Sequence, residues 1–107
     1  MKYMVQWKLA PITPDMFELA IKMIPMQIQY TKDLEAKGKH LGTYAFPGCR
    51  EGMKIYQADS VEELHKLMLG NPFAPLLNFT VTPLLDFAWS AETVKQALEQ
   101  MVQMMKK

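Results

Sequence analysis

Pro47-Gly48-Cys49-Arg50-Glu51, near the middle of the 107-residue chain, separates two β-rich runs at 40–46 and 52–58. A Pro-Gly pair in so short a connection marks a hairpin, which makes the two runs pair antiparallel. The hairpin constrains the fold because of what flanks it. Upstream, residues 2–9 alternate, with Tyr3, Val5, Trp7 and Leu9 on one side, Lys2, Gln6 and Lys8 on the other, and Met4 as the exception. This predicts a strand with one strongly apolar face. Residues 14–37 then predict a helix: Thr13 is an N-cap and Pro14 takes the first helical position. Its stripe is Phe17, Ala20, Ile24 and Ile28, widened by Met16, Leu19, Met23 and Tyr30. Pro25 predicts a kink or local break, and Gly38 the left-handed end.

Downstream of the hairpin the same succession repeats. Ser60 and Glu63 form a capping box that opens a second helix, with Val61, Leu64, Leu67 and Met68 as its stripe. Gly70-Asn71-Pro72 stops it, and residues 78–85, carrying Phe79, Val81 and Leu85, predict a fourth strand. From Ser90, another N-cap, a third helix runs to the C-terminus with Val94, Ala97, Leu98, Met101, Val102 and Met105 on one face. The order βαββαβ, two crossovers around a hairpin, predicts an α+β, ferredoxin-like fold. One domain spans residues 1–107, with the core at 1–88 and an added helix at 89–107. Helices cover one face of such a sheet, yet the second and third strands are apolar on both faces: Leu41 and Ala45 against Tyr44 and Phe46, Met53 and Ile55 against Tyr56 and Ala58. A bare apolar face calls for a cover. The expectation is a homodimer in which two four-stranded sheets face each other.

Charge and cysteine content narrow the function classes. Lys and Arg number 12 against 11 Asp and Glu, and only Arg50 is an arginine, so there is no electrostatic footprint for nucleic acid. Cys49 stands alone, the N-terminal residues carry no secretory apolar stretch, and no run approaches the ~20 apolar residues of a membrane span. These features predict a soluble, cytoplasmic protein. His40 and His65 are far apart in sequence and there is no Cys-x-x-Cys pair, so no metal site is expected. The 10 methionines suit adaptable packing better than soft-metal ligation. P-loop, dinucleotide fingerprint and catalytic triad motifs are absent from the sequence, and no cofactor is expected.

The stretches Asp59-Ser60-Val61-Glu62-Glu63-Leu64-His65, Leu67-Met68, Pro72-Phe73-Ala74-Pro75 and Phe79-Thr80-Val81-Thr82-Pro83-Leu84 resemble the muconolactone isomerase family. The opening Met-Lys-Tyr-Met-Val-Gln-Trp is similar to short members of the same dimeric α/β-barrel group. The resemblance implies ferredoxin-like protomers paired through their sheets as a dimeric α/β barrel, or a larger assembly built on such dimers, and proton-transfer isomerisation of a small carboxylated or lactone substrate without cofactor. His65, Pro72, Phe73 and Pro75 fall within the shared motif. His40-Leu41-Gly42-Thr43-Tyr44 departs from it, since the isomerase carries a tryptophan and basic residues near its second strand, and so does the helix from Ser90.

Proton transfer α to a carbonyl needs a base, and hydrogen-bond donors for the enolate. His65, beside the apolar stripe of the second helix, and His40, at the start of a strand, are candidate catalytic groups, with Tyr44 and Tyr56 as donors and acceptors. Trp7 and Phe73 would line a ligand pocket and Arg50 would hold a carboxylate. The plainer alternatives are a boundary histidine, core aromatics and a solvated loop arginine. Two other functions fit the same residues: a non-catalytic ligand-binding or interaction module whose third helix clasps a neighbour, and a cofactor-free small monooxygenase in which Trp7 and the tyrosines orient an aromatic substrate.

Overall fold

The computed structural model describes residues 1–106. Four strands, β1 (Lys2–Leu9), β2 (His40–Ala45), β3 (Glu51–Gln57) and β4 (Leu77–Leu84), form one antiparallel sheet in the order β2-β3-β1-β4. Helices α1 (Phe17–Ala36) and α2 (Val61–Leu69) make the two crossovers, and α3 (Phe87–Met105) follows β4. This is the predicted βαββαβ order, with each strand boundary within one residue of its expectation.

The alternation of β1 and β3 sets the two faces. Tyr3 pairs with Tyr56, Val5 with Lys54 and Trp7 with Gly52, so these six share the inner face beneath the helices. Tyr3, Val5, Tyr56 and Ala58 from the sheet, Leu34 from α1 and Leu64 from α2 form the core, flanked by Tyr30, Leu67, Met68 and Phe79. Tyr30 ties the helices together, its hydroxyl donating to the Leu67 carbonyl at 2.5 Å. Met4, Met53, Ile55 and Tyr44 lie on the opposite, outer face, which no element covers.

Several local expectations are corrected. Pro14–Met16 forms a single 3-10 turn before α1, and the Thr13 hydroxyl bonds Asp15 rather than a backbone amide. α1 runs unbroken through Pro25, because that proline stands on the solvent side, where water can satisfy the carbonyl it leaves free. The row turned toward the sheet runs from Met16, just before α1, through Ala20, Met23 and Tyr30, all half-buried, to Leu34, the one buried residue of the helix, while Phe17, Leu19, Ile24 and Ile28 stay exposed. Apolar residues cover so much of this helix that two rows satisfy the same spacing. On α2, Val61 is exposed and only Leu64 is fully buried. Ser60 accepts from the Glu63 amide at 3.1 Å as predicted, but the Glu63 carboxylate turns to Lys39 at 2.6 Å instead of completing the box. α3 starts at Phe87, capped by Asp86, which accepts from the Trp89 amide at 3.0 Å, and Ser90 lies inside the helix.

The molecule is unusually open for its length. Its radius of gyration is 19.1 Å, against about 13 Å for a compact chain of this size. Its accessible surface is 7951 Å², against roughly 6,100 Å² for a compact monomer. α3 accounts for much of the difference, since all its residues but Ser90 are exposed.

Candidate active site

β3 carries Gly52, Lys54 and Tyr56 in phase toward the helices, with Ala58 just past its end, so strand geometry alone puts a lysine among apolar neighbours. Lys54 is 2% exposed, and no carboxylate among the described residues lies within 4.0 Å of its Nζ, which has no hydrogen-bond partner. Burial lowers its pKa from 10.5 to about 8. An ammonium held this way costs free energy that an ordinary surface lysine does not.

His40, 4% exposed at the start of β2, stands edge-on to Tyr56 with ring centroids 4.3 Å apart and planes at 76°. A bulge between His40 and Gly42 breaks the β2 register, so that Thr43 pairs with Lys54. Burial, reinforced by the Lys54 charge, lowers the His40 pKa to about 4, so the imidazole is neutral at pH 7. Burial also raises the Tyr56 phenol well above its ordinary value, aided by Tyr30. Neither ring nitrogen of His40 has a partner, nor does Thr43 Oγ1, Trp7 Nε1 or Asn71 Nδ2, all buried. Buried polar groups in folded proteins are nearly always satisfied, so His40, Thr43 and Lys54, brought together where β2 pairs with β3, make a candidate site.

A cleft of about 870 Å³ opens at the end of the sheet, lined by residues 8–12, the 46–51 loop and Phe17. The loop closes through Phe46 N–H to the Glu51 carbonyl at 2.8 Å, with positive φ at Gly48 (95°) and Cys49 (57°). One step inward along the strands come Trp7 and Gly52, and one further step reaches Lys54. The Trp7 ring rests directly on Gly52: a Cβ there would lie 2.3 Å from Trp7 Cζ2 and 2.3 Å from the Tyr44 carbonyl oxygen. Trp7 therefore stands between cleft and lysine. Among the described residues no three His, Cys, Asp or Glu side chains group closely enough to hold a metal ion.

Of the residues singled out from sequence, His40, Tyr56 and Trp7 gather on the inner face. Phe73, 7% exposed, is buried in the α2–β4 connection, its N–H donating to Asn71 Oδ1 at 2.9 Å. Arg50 lines the cleft mouth. Tyr44, 61% exposed, is on the outer face opposite Met53, away from Tyr56. His65 is exposed on α2. Sequence reasoning missed Lys54, Thr43 and Asn71. The one sequence signal for Lys54 is its step with Gly52, Tyr56 and Ala58, an otherwise uncharged row.

The family model of muconolactone delta-isomerase matches residues 1–90. A crystal structure of muconolactone isomerase superposes with a TM-score of 0.71 at 20% identity, over 80% of this chain and 90% of that one. The 5-chloro-2-hydroxyhydroquinone dehydrochlorinase of Burkholderia phenoliruptrix AC1100, solved with 2,5-dihydroxybenzoquinone, superposes with a TM-score of 0.59 at 21% identity, over 79% and 94% of the two chains. No curated protein sequence matches this chain.

Proposed function

The chain belongs to the muconolactone delta-isomerase family, and on that premise we propose that it catalyses cofactor-free proton transfer on a small, oxygenated ring substrate bearing a carboxylate or lactone, with Lys54 as the base. The buried, partnerless Lys54 beside neutral His40 and Tyr56 carries this reading. A pKa of about 8 leaves a useful fraction of free amine near neutral pH, which an unperturbed lysine lacks. The amine takes a proton from the carbon α to a carbonyl. The electron pair moves onto the oxygen, where the Tyr56 hydroxyl or a His40 N–H donates to the enolate. The ammonium then returns the proton at the conjugated carbon, shifting the double bond with no net change in atoms. If that carbanion instead carries a β-chlorine, chloride leaves, and the same first step serves a dehydrochlorination.

Arg50 at the cleft mouth would draw in a carboxylate, and Trp7 would yield to admit the ring. The working unit in this reading is an oligomer paired through the outer sheet face, acting in the cytoplasm. Among the described residues no helix is long and apolar enough to cross a membrane.

Solvent deuterium incorporation into a panel of unsaturated lactones, followed by NMR, tests the chemistry. Incorporation above blank that Lys54→Met abolishes is the expected result. Incorporation absent across the panel, or unchanged in Lys54→Met, overturns the assignment.

A further inference from the structure

Two rows of apolar side chains on this chain lack a partner, and their spacing matches. On α3, Phe87, Ala91, Val94, Leu98, Met101 and Met105 follow one another at alternating steps of four and three residues, all exposed. Such a row presents a continuous seam to another helix. On α1, Phe17, Ile21, Ile24 and Ile28 repeat the same steps, roughly a quarter turn from the row that packs on the sheet. Both sets are between 47% and 85% exposed where they are large.

Sheet order keeps the two rows apart within one chain. α3 departs from β4 at one edge, whereas α1 packs on β2 at the opposite edge. A second copy removes the obstacle. When two outer faces meet about a twofold axis parallel to the strands, the β4 edge of each lies over the β2 edge of the other. α3, about 28 Å long, is long enough to pass the sheet-to-sheet spacing of about 10 Å and reach the partner's helix layer.

We propose that α3 packs along the Phe17-Ile21-Ile24-Ile28 row of α1 in a second copy of this chain, so that the dimer closes by reciprocal exchange of C-terminal helices. The inference rests on the pairing of outer sheet faces put forward above. The areas favour this occupant. One sheet face of this size covers roughly 400 Å², short of the about 800 Å² per partner of a stable dimer. A helix about 28 Å long and 10–12 Å across adds roughly 300 Å² each time it is given and each time it is received. Together they pass the threshold, and they cover about half of the surface by which 7951 Å² exceeds that of a compact monomer. Phe17 belongs both to this row and to the cleft lining, so the exchanged helix packs against a residue of the partner's cleft.

Single-cysteine variants in a Cys49→Ser background test the exchange. Ile21→Cys, Ile24→Cys or Ile28→Cys on α1 is co-expressed with Val94→Cys, Leu98→Cys or Met101→Cys on α3. The products are oxidised and read on non-reducing gels and by mass spectrometry, with circular dichroism confirming that each variant folds and light scattering giving the wild-type mass. At least one α1–α3 pair gives covalent dimer tenfold or more above either variant alone. A wild-type dimer without α1–α3 product, including one whose α3 variants link only to each other, overturns the exchange and leaves sheet pairing standing. A wild-type monomer overturns both.

Discussion

The inner face of β3 and the seam of α3 break the same rule in opposite directions. At the first, Lys54, His40 and Thr43 bury polar atoms with nothing to bond; at the second, Val94, Leu98 and Met101 expose apolar ones with nothing to pack. An isolated chain gains from neither arrangement, since each forfeits free energy that a simple exchange of residues between the two places would recover. The lesson lies in what each deficiency asks for. In the proposed reading, unpaired polar groups inside suit a small polar ligand, and an apolar surplus outside suits another chain.

The comparison breaks most visibly if Lys54 is only structural. Lys54→Met should lower turnover at least ~100-fold, the range for loss of a general base. The same change should raise stability by about 1–3 kcal/mol, because a buried ammonium is replaced by an apolar side chain of similar length. Steady-state kinetics and thermal melts together check this, and a fall in both activity and stability would mean that Lys54 serves packing.

Leu98→Glu probes the other region. It should weaken self-association tenfold or more by analytical ultracentrifugation, while circular dichroism of the dilute protein stays unchanged. If the monomer itself unfolds, the seam is covered within the chain.

The inner face also predicts how stability follows pH. Lys54 titrates at about 8 in the fold and near 10.5 when unfolded, so the unfolded chain holds the extra proton between those values. Stability therefore rises from pH 8 to 10.5, by up to about 3 kcal/mol. His40 titrates at about 4 in the fold against 6.5 unfolded, so stability falls by a similar amount as pH drops from 6.5 to 4. Urea melts across these windows check the signs, and both slopes should weaken in Lys54→Met.

Smaller effects sharpen the picture of the barrier between cleft and lysine. Gly52→Ala forces Trp7 and the Tyr44 carbonyl away from the new methyl and should cost about 1–3 kcal/mol, with a change in tryptophan fluorescence. His65→Ala, on the exposed side of α2, should leave turnover within about twofold, which kinetics on the same substrate will decide.

The sheet was legible in the sequence because period two leaves little freedom: once Tyr3, Val5 and Trp7 point inward, the register with Tyr56 and Gly52 follows. α1 was less so, because its apolar residues occupy most of the circumference, and periodicity could not say whether Phe17 or Met16 begins the buried row. The start of α3 was misplaced for a related reason, with Asp86 and Ser90 both able to cap. In the candidate site, residue type alone points to His40 and Tyr56, but it groups Tyr44 with them, whereas the bulge between His40 and Gly42 shifts the strand parity and puts Tyr44 on the other face. Lys54 was overlooked because a lysine is presumed solvated, and only the burial of its strand neighbours on both sides shows otherwise.

The titration of Lys54 tests this most directly. With the lysine side chains isotopically labelled and the Lys54 resonance assigned by its loss in Lys54→Met, NMR across pH 6–11 should give Lys54 a midpoint near 8. A Lys54 midpoint at the ordinary value near 10.5 would show a solvated ammonium with no free amine at neutral pH, and would contradict a base buried under the helices.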